Sequence, residues 1–178
     1  MSELLPFLLE KLAGAKRLAI LGVGSLLRGD DAAGMLIVER LIEAFPPQDY
    51  PDLLLCGGGT APENFSGNVR LFAPDHMLII DAADAGCEPG SIVDIPRVEI
   101  GGPSFSSHML PLKIMVDYLV NETGTNVTML GLQYKDIEFG ADLSPEIREA
   151  VDELTEALLA AIPVICKNTP GRSAAPAK

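Results

Sequence analysis

At 178 residues the chain corresponds to one ordinary domain, because domains typically run to about 100–150 residues and two would be cramped. With 48% apolar and 21% charged residues it has ample material for a core and is not a disordered chain. Its formal net charge of −12 becomes −15 over residues 1–162, since the last sixteen residues carry three basic and no acidic side chains. Such a body repels phosphate backbones and anionic lipid, which makes nucleic acid and membrane poor partners and favours a cation or a basic peptide.

No apolar run reaches the ~18 residues of a membrane span, and the opening MSELLPFLLEKLAGAKR has acidic residues where a secretion signal needs basic ones, so a cytoplasmic location is expected. Cys56, Cys87 and Cys166 are odd in number and form no CxxC pair, which argues for reduced thiols rather than a disulfide framework or a zinc knuckle. Without secretion, the N-x-[ST] triplets at Asn64, Asn121 and Asn126 are chance matches.

In chain order, an amphipathic helix is predicted over Glu3 to Ala13, then a buried strand over Arg17 to Val23. The loop Gly24 to Asp31 leads into a helix over Ala32 to Phe45, with Asp30 or Asp31 placed to cap it and Pro46-Pro47 to end it. Leu53 to Cys56 reads as a second strand, followed by Gly57-Gly58-Gly59 and a short helix. There Thr60 and Glu63, three apart, resemble a capping box with Pro62 in the first turn. His76 to Ala82 is a third buried strand and Ser91 to Ile95 a fourth. A helix opening at Ser106, Ser107 or His108 and stopping near Gly124 precedes a fifth strand over Asn126 to Leu132. Ser144-Pro145 starts a last helix whose stripe runs from Ile147 to Ile162 and which Pro163 ends.

This alternation predicts an α/β fold: a three-layer sandwich around a twisted, largely parallel sheet of about five strands, with helices on both faces. Residues 1–162 form its single domain, with an extra helix at 2–15, and 163–178 form a flexible tail. Ligands of such sheets gather beyond the carboxyl ends of the strands, where Asp31 and Asp81 both fall.

Gly22-Val23-Gly24 begins like a dinucleotide-binding turn, but Leu27 takes the third glycine position and Asp30-Asp31 stand where a pyrophosphate would sit. Each candidate residue also has a structural explanation. An aspartate at a helix start can serve as a cap, although two in tandem leave one free; Asp81 can form a turn into Ala82-Ala83-Asp84; His108 can be an ordinary helix-start residue; His76 reads as a turn residue. Taken together, Asp31, Asp81 and His108 make a sound donor set for a divalent first-row metal with open coordination positions. A nucleophile is less supported, since no G-x-S-x-G elbow is present and neither Cys56 nor Cys87 neighbours a histidine in sequence.

The blocks GVGSLLRGDDAAG, GGTAPEN, LIIDAADAG-x-x-PG and SSHMLPL occur in this order, and together they resemble the endopeptidases that mature [NiFe] hydrogenase large subunits, most closely the hydrogenase 3 type. The resemblance runs from about Leu18 to Ile162. It implies a cytoplasmic protease that removes a carboxy-terminal extension from the large-subunit precursor after nickel insertion, cutting behind a basic residue. It further implies that Asp31, Asp81 and His108 surround the metal and serve the reaction, with nickel arriving on the substrate. Three positions depart from the family pattern: Ser25 stands for asparagine, Ala32 for glycine, and Gly57 for an aspartate before Gly-Gly-[ST]. A non-catalytic nickel carrier or assembly checkpoint on the same fold, and an unrelated peptidase, are the competing readings.

Overall fold

The computed structural model describes residues 3–100 and 109–166. Within them β1 (Leu18–Val23), β2 (Leu53–Gly59), β3 (His76–Ala83), β4 (Ile92–Ile95) and β5 (Asn126–Gln133) form one sheet in the order β2-β1-β3-β5-β4. Four strands are parallel, and β4 runs antiparallel to β5 at the edge. The helices are α1 (Leu4–Lys11), α2 (Ala33–Ala44), α3 (Ser66–Phe72), α4 (Met109–Thr123) and α5 (Pro145–Ile165). The expected three-layer α/β sandwich is therefore observed.

Strand alternation builds the two cores. Ile20, Leu78, Ile80, Leu130 and Leu132 face α1, α2 and α5, whereas Leu21, Met77, Ile79 and Met129 face α3 and α4. All eight residues of β3 are buried, which explains its near-continuous apolar run. Each such Leu, Ile or Met contributes about 1.5–3 kcal/mol on burial.

Several local expectations give way to longer-range contacts. The helix expected at Ala32 opens as a 3-10 turn over Gly29–Ala32 and becomes α2 at Ala33; its cap position falls on Ala32, which has no side-chain acceptor, and both aspartates are engaged elsewhere. Thr60 and Glu63 do not form a capping box. Ala61 is the cap of a 3-10 turn over Pro62–Phe65, with its amide held by the Gly58 carbonyl at 3.3 Å, although Pro62 takes the first-turn position as predicted. His76 is not a turn residue but the first residue of β3, buried, with its ring 2.8 Å from the Thr128 hydroxyl. Pro163 does not end the last helix: α5 continues to Ile165, and the Cys166 amide donates to the Ile162 carbonyl at 2.8 Å across the proline. The segment predicted as a tail thus starts as helix, and Cys166 is buried in the core; residues 167–178 lie outside the described residues.

The start of α2 sits directly on the carboxyl ends of β1 and β3. A Cβ at Gly34 would collide with the Ile80 carbonyl oxygen and lie 2.6 Å from that of Val23, so only glycine permits this approach. Gly34→Ala should therefore destabilise the fold by roughly 3 kcal/mol or more, read as a lower urea midpoint with unchanged m. An unshifted midpoint would show that the helix is free to lift from the sheet.

Candidate active site

Gly22 of β1 pairs with Ile80 of β3, so the chain leaves β1 beside Asp81. The exit loop turns back at Gly24, whose φ of 120° and tight contact with the Asp31 backbone demand glycine. The Asp31 carboxylate then accepts the Ser25 amide at 2.8 Å, and the Asp31 amide donates to the Arg28 carbonyl at 3.0 Å. The loop thereby presents Asp31, 5% exposed, towards the end of β3.

Asp81 is 1% exposed. Its Oδ1 accepts the Ala82 amide at 2.8 Å, while its buried Oδ2 has no hydrogen-bond partner among the described residues. Burial first, and the Asp31 charge second, push its carboxyl well above the ordinary carboxylate range, against the opposing pull of the Ala82 amide. Asp81 is accordingly part of β3 and not a turn-former. An orphaned carboxylate oxygen beside a second carboxylate is a costly arrangement, and such arrangements mark sites that receive a cation or a proton.

The tandem aspartates divide their work. Asp30 is 0% exposed and accepts the amides of Lys135 at 2.8 Å, Asp136 at 2.9 Å and Ser144 at 2.7 Å, while its own amide donates to the Asp136 carbonyl. It fastens the loop after β1 to the β5–α5 connection. Asp31 is left free of that duty.

His108 lies outside the described residues, directly before α4 in the chain. Because α4 leads into the parallel strand β5, the amino terminus of the helix is at the same sheet edge as Asp81. Among the described residues no group of three His, Cys, Asp or Glu side chains is placed to hold a metal. The structure brings Asp31 and Asp81 together.

Two further residues shape the site without any local sequence signal. Gln133, at the end of β5, accepts the Ala85 amide at 2.7 Å and the Cys87 amide at 3.3 Å, and its amide group donates to the Tyr134 carbonyl at 3.1 Å. It anchors the loop after Asp81. Tyr134 follows it, its phenol pushed up by burial and then by the charges of Asp84 and Asp31. A neutral hydroxyl is thus maintained near the carboxylates.

At the departure position Gly57, a Cβ would meet Met35 Cε at 3.0 Å. Met35 occupies the space that a larger residue would need, and its sulfur accepts the Gly59 amide at 3.2 Å. Cys56 and Cys166 are buried, with thiols pushed up to about 11 by burial, which keeps both protonated and unreactive.

Comparison with known proteins agrees with this fold. The family model for hydrogenase maturation protease, HycI, matches residues 35–161. The hydrogenase 3 maturation protease of Escherichia coli K12 is 33% identical over 140 residues, covering 78% of this chain and 86% of that protein. The crystal structure of a [NiFe] hydrogenase maturation protease, HycI, from Thermococcus kodakarensis superposes with a TM-score of 0.79 at 32% identity, over 91% of this chain and 99% of that one. The E. coli hydrogenase maturating endopeptidase HybD superposes at 0.67 with 28% identity, over 83% and 93%. These agreements define the class as a peptidase. More narrowly, the chain belongs to the hydrogenase maturation protease family.

Proposed function

We propose that this chain cleaves the carboxy-terminal extension from the precursor of a [NiFe] hydrogenase large subunit once nickel has been inserted, and that the nickel carried by the precursor is what it grips. The observation that supports this most is the buried Oδ2 of Asp81 beside Asp31, unpartnered among the described residues. Carboxylate oxygens suit a divalent first-row ion, and the imidazole of His108 completes the donor set that the family resemblance implies. Arrival of the ion would offset the repulsion between the two carboxylates and favour release of the Asp81 proton.

In this reading nickel is part of the substrate and supplies a positive charge that docks the scissile segment against the sheet edge. The protein's own residues do the positioning. The Ser25 amide orients Asp31, the Ala82 amide orients Asp81, and Gly34 holds both elements in register. Either carboxylate, once displaced from the ion, can take a proton from the attacking water, and the leaving backbone nitrogen takes one in turn. A precursor without nickel lacks the group that the two aspartates bind, so cleavage reports completed insertion through differential affinity.

Mass spectrometry of purified precursor incubated with this chain, with and without prior nickel loading, tests the proposal. Shortening of the loaded precursor alone is expected. Shortening without nickel would point to an unrelated peptidase, and nickel binding with no shortening under either condition would point to a carrier or checkpoint.

A further inference from the structure

A second feature lies on the α3–α4 side of the sheet. A groove of about 360 Å³ runs between the 3-10 turn Pro62–Phe65, the start of α3 and the outer side of α4; it is lined by Glu63, Ser66, Pro111, Ile114, Met115 and Tyr118. The turn that forms one wall follows β2 at its carboxyl end, next to the active-site loop, where the Gly24 amide donates to the Gly59 carbonyl at 3.0 Å. One wall of the groove therefore lies at the same edge of the sheet as Asp31 and Asp81, although other residues form it.

Glu63 is its anomaly. The capping role that its spacing from Thr60 suggested is not taken up, and its carboxylate makes no hydrogen bond or ion pair among the described residues. Its Oε2 is nonetheless buried. A carboxylate oxygen withdrawn from water without a partner is unfavourable unless a donor arrives. The remaining walls narrow the identity of that donor. Ile114 is 64% and Tyr118 42% exposed, too apolar a pair to be left open without consequence, and a bare inorganic cation would gain nothing from them. A side chain with an aliphatic stem and a cationic head matches both halves, because Pro111, Ile114 and Tyr118 offer it apolar and aromatic surface and Glu63 offers it a charge. The net charge of −12 favours approach of such a group.

We infer that the groove between Pro62–Ser66 and α4 is a docking site for a lysine or arginine side chain of a polypeptide ligand, with Glu63 as the residue that reads its charge. Its planar guanidinium makes arginine the better fit over Tyr118. Placed beside the catalytic edge, the site would hold the processed polypeptide at a point separate from the nickel. That consequence rests on the function proposed above; the groove's own preference does not.

Two measurements separate the groove from the function. In the first, the isotope-labelled full chain is titrated by NMR with the capped peptide Ac-Ala-Arg-Ala-Ala-NH2 and with its citrulline counterpart, which is neutral and nearly isosteric. Shifts confined to Glu63, Ser66, Ile114 and Tyr118 are expected, with binding about tenfold or more weaker for citrulline, and equally weakened in Glu63→Gln. Tyr118→Leu, a surface change that leaves the fold intact, should erode the preference of arginine over lysine. Equal binding of arginine and citrulline peptides, or shifts elsewhere on the molecule, would overturn the inference. In the second, KM and kcat for nickel-loaded precursor are compared for wild type and Glu63→Gln, with a raised KM and little change in kcat expected. An unchanged KM with normal cleavage would exclude use of the groove in processing while leaving the proposed function standing; no cleavage by wild type would do the reverse.

Discussion

Asp81→Asn should reduce cleavage of nickel-loaded precursor by about a hundredfold or more while making the folded protein more stable at neutral pH. Both effects arise from the same atoms. The carboxyl group of Asp81 is buried against Asp31 with Oδ2 unpartnered among the described residues, and its proton affinity in the folded protein is raised well above the ordinary value of 3.8. The folded state therefore binds this proton more tightly than the unfolded chain. Its contribution to stability is fully present below the unfolded value and is lost as pH rises through the raised folded value. Asparagine does not ionise and escapes that loss. Thermal unfolding across the range from pH 4 upward should show wild type and variant converging at the acid end, with the variant increasingly ahead as pH rises and the gap levelling once Asp81 is ionised. Parallel curves for the two proteins would show that Asp81 is not the strained group described here, and wild-type cleavage by the variant would remove it from the reaction.

A larger loss of stability is expected at Asp30 than at either proposed ligand. Its carboxylate satisfies three backbone amides on the connection between β5 and α5, at 2.7–2.9 Å. Each buried amide left without an acceptor costs about 1–3 kcal/mol, so Asp30→Ala should destabilise the fold by about 3–5 kcal/mol and lower Tm by roughly 10 °C. Asp30→Asn, which keeps one acceptor oxygen, should lose less. Urea unfolding followed by circular dichroism measures both. Cleavage of nickel-loaded precursor by the folded fraction of either variant should be retained, because Asp31 and Asp81 keep their carboxylates. An Asp30→Ala protein as stable as wild type would mean that the connection holds itself in place.

The contrast between these aspartates shows what the primary structure can and cannot disclose. Asp81 was legible because LII before it marks a buried strand, and the end of such a strand in a parallel sheet is where ligands collect. The pairing of Asp81 with Asp31 follows from the same reasoning. The division between Asp30 and Asp31 was not legible, since the amides that occupy Asp30 come from residues more than 100 positions away. The same kind of distance hides Gln133, whose partners lie on the loop after β3. Glu63 misled for the opposite reason: its spacing from Thr60 satisfies a local rule, but the backbone of the Gly58–Ala61 turn leaves no use for that cap. At Pro163, burial of Cys166 against the core outweighs one missing amide bond. Local chemistry thus located the strands and the sheet edge, whereas contacts closed by the whole fold decided which carboxylate is structural.

X-ray absorption at the nickel edge offers the most direct test of the central claim, comparing loaded precursor alone with its complex with this chain. The account predicts that complex formation adds oxygen or nitrogen ligands to the nickel, and that Asp31→Ala and Asp81→Ala each remove part of that addition. A nickel environment unchanged by the folded wild-type protein, in a complex that nonetheless forms and is cleaved, would contradict it.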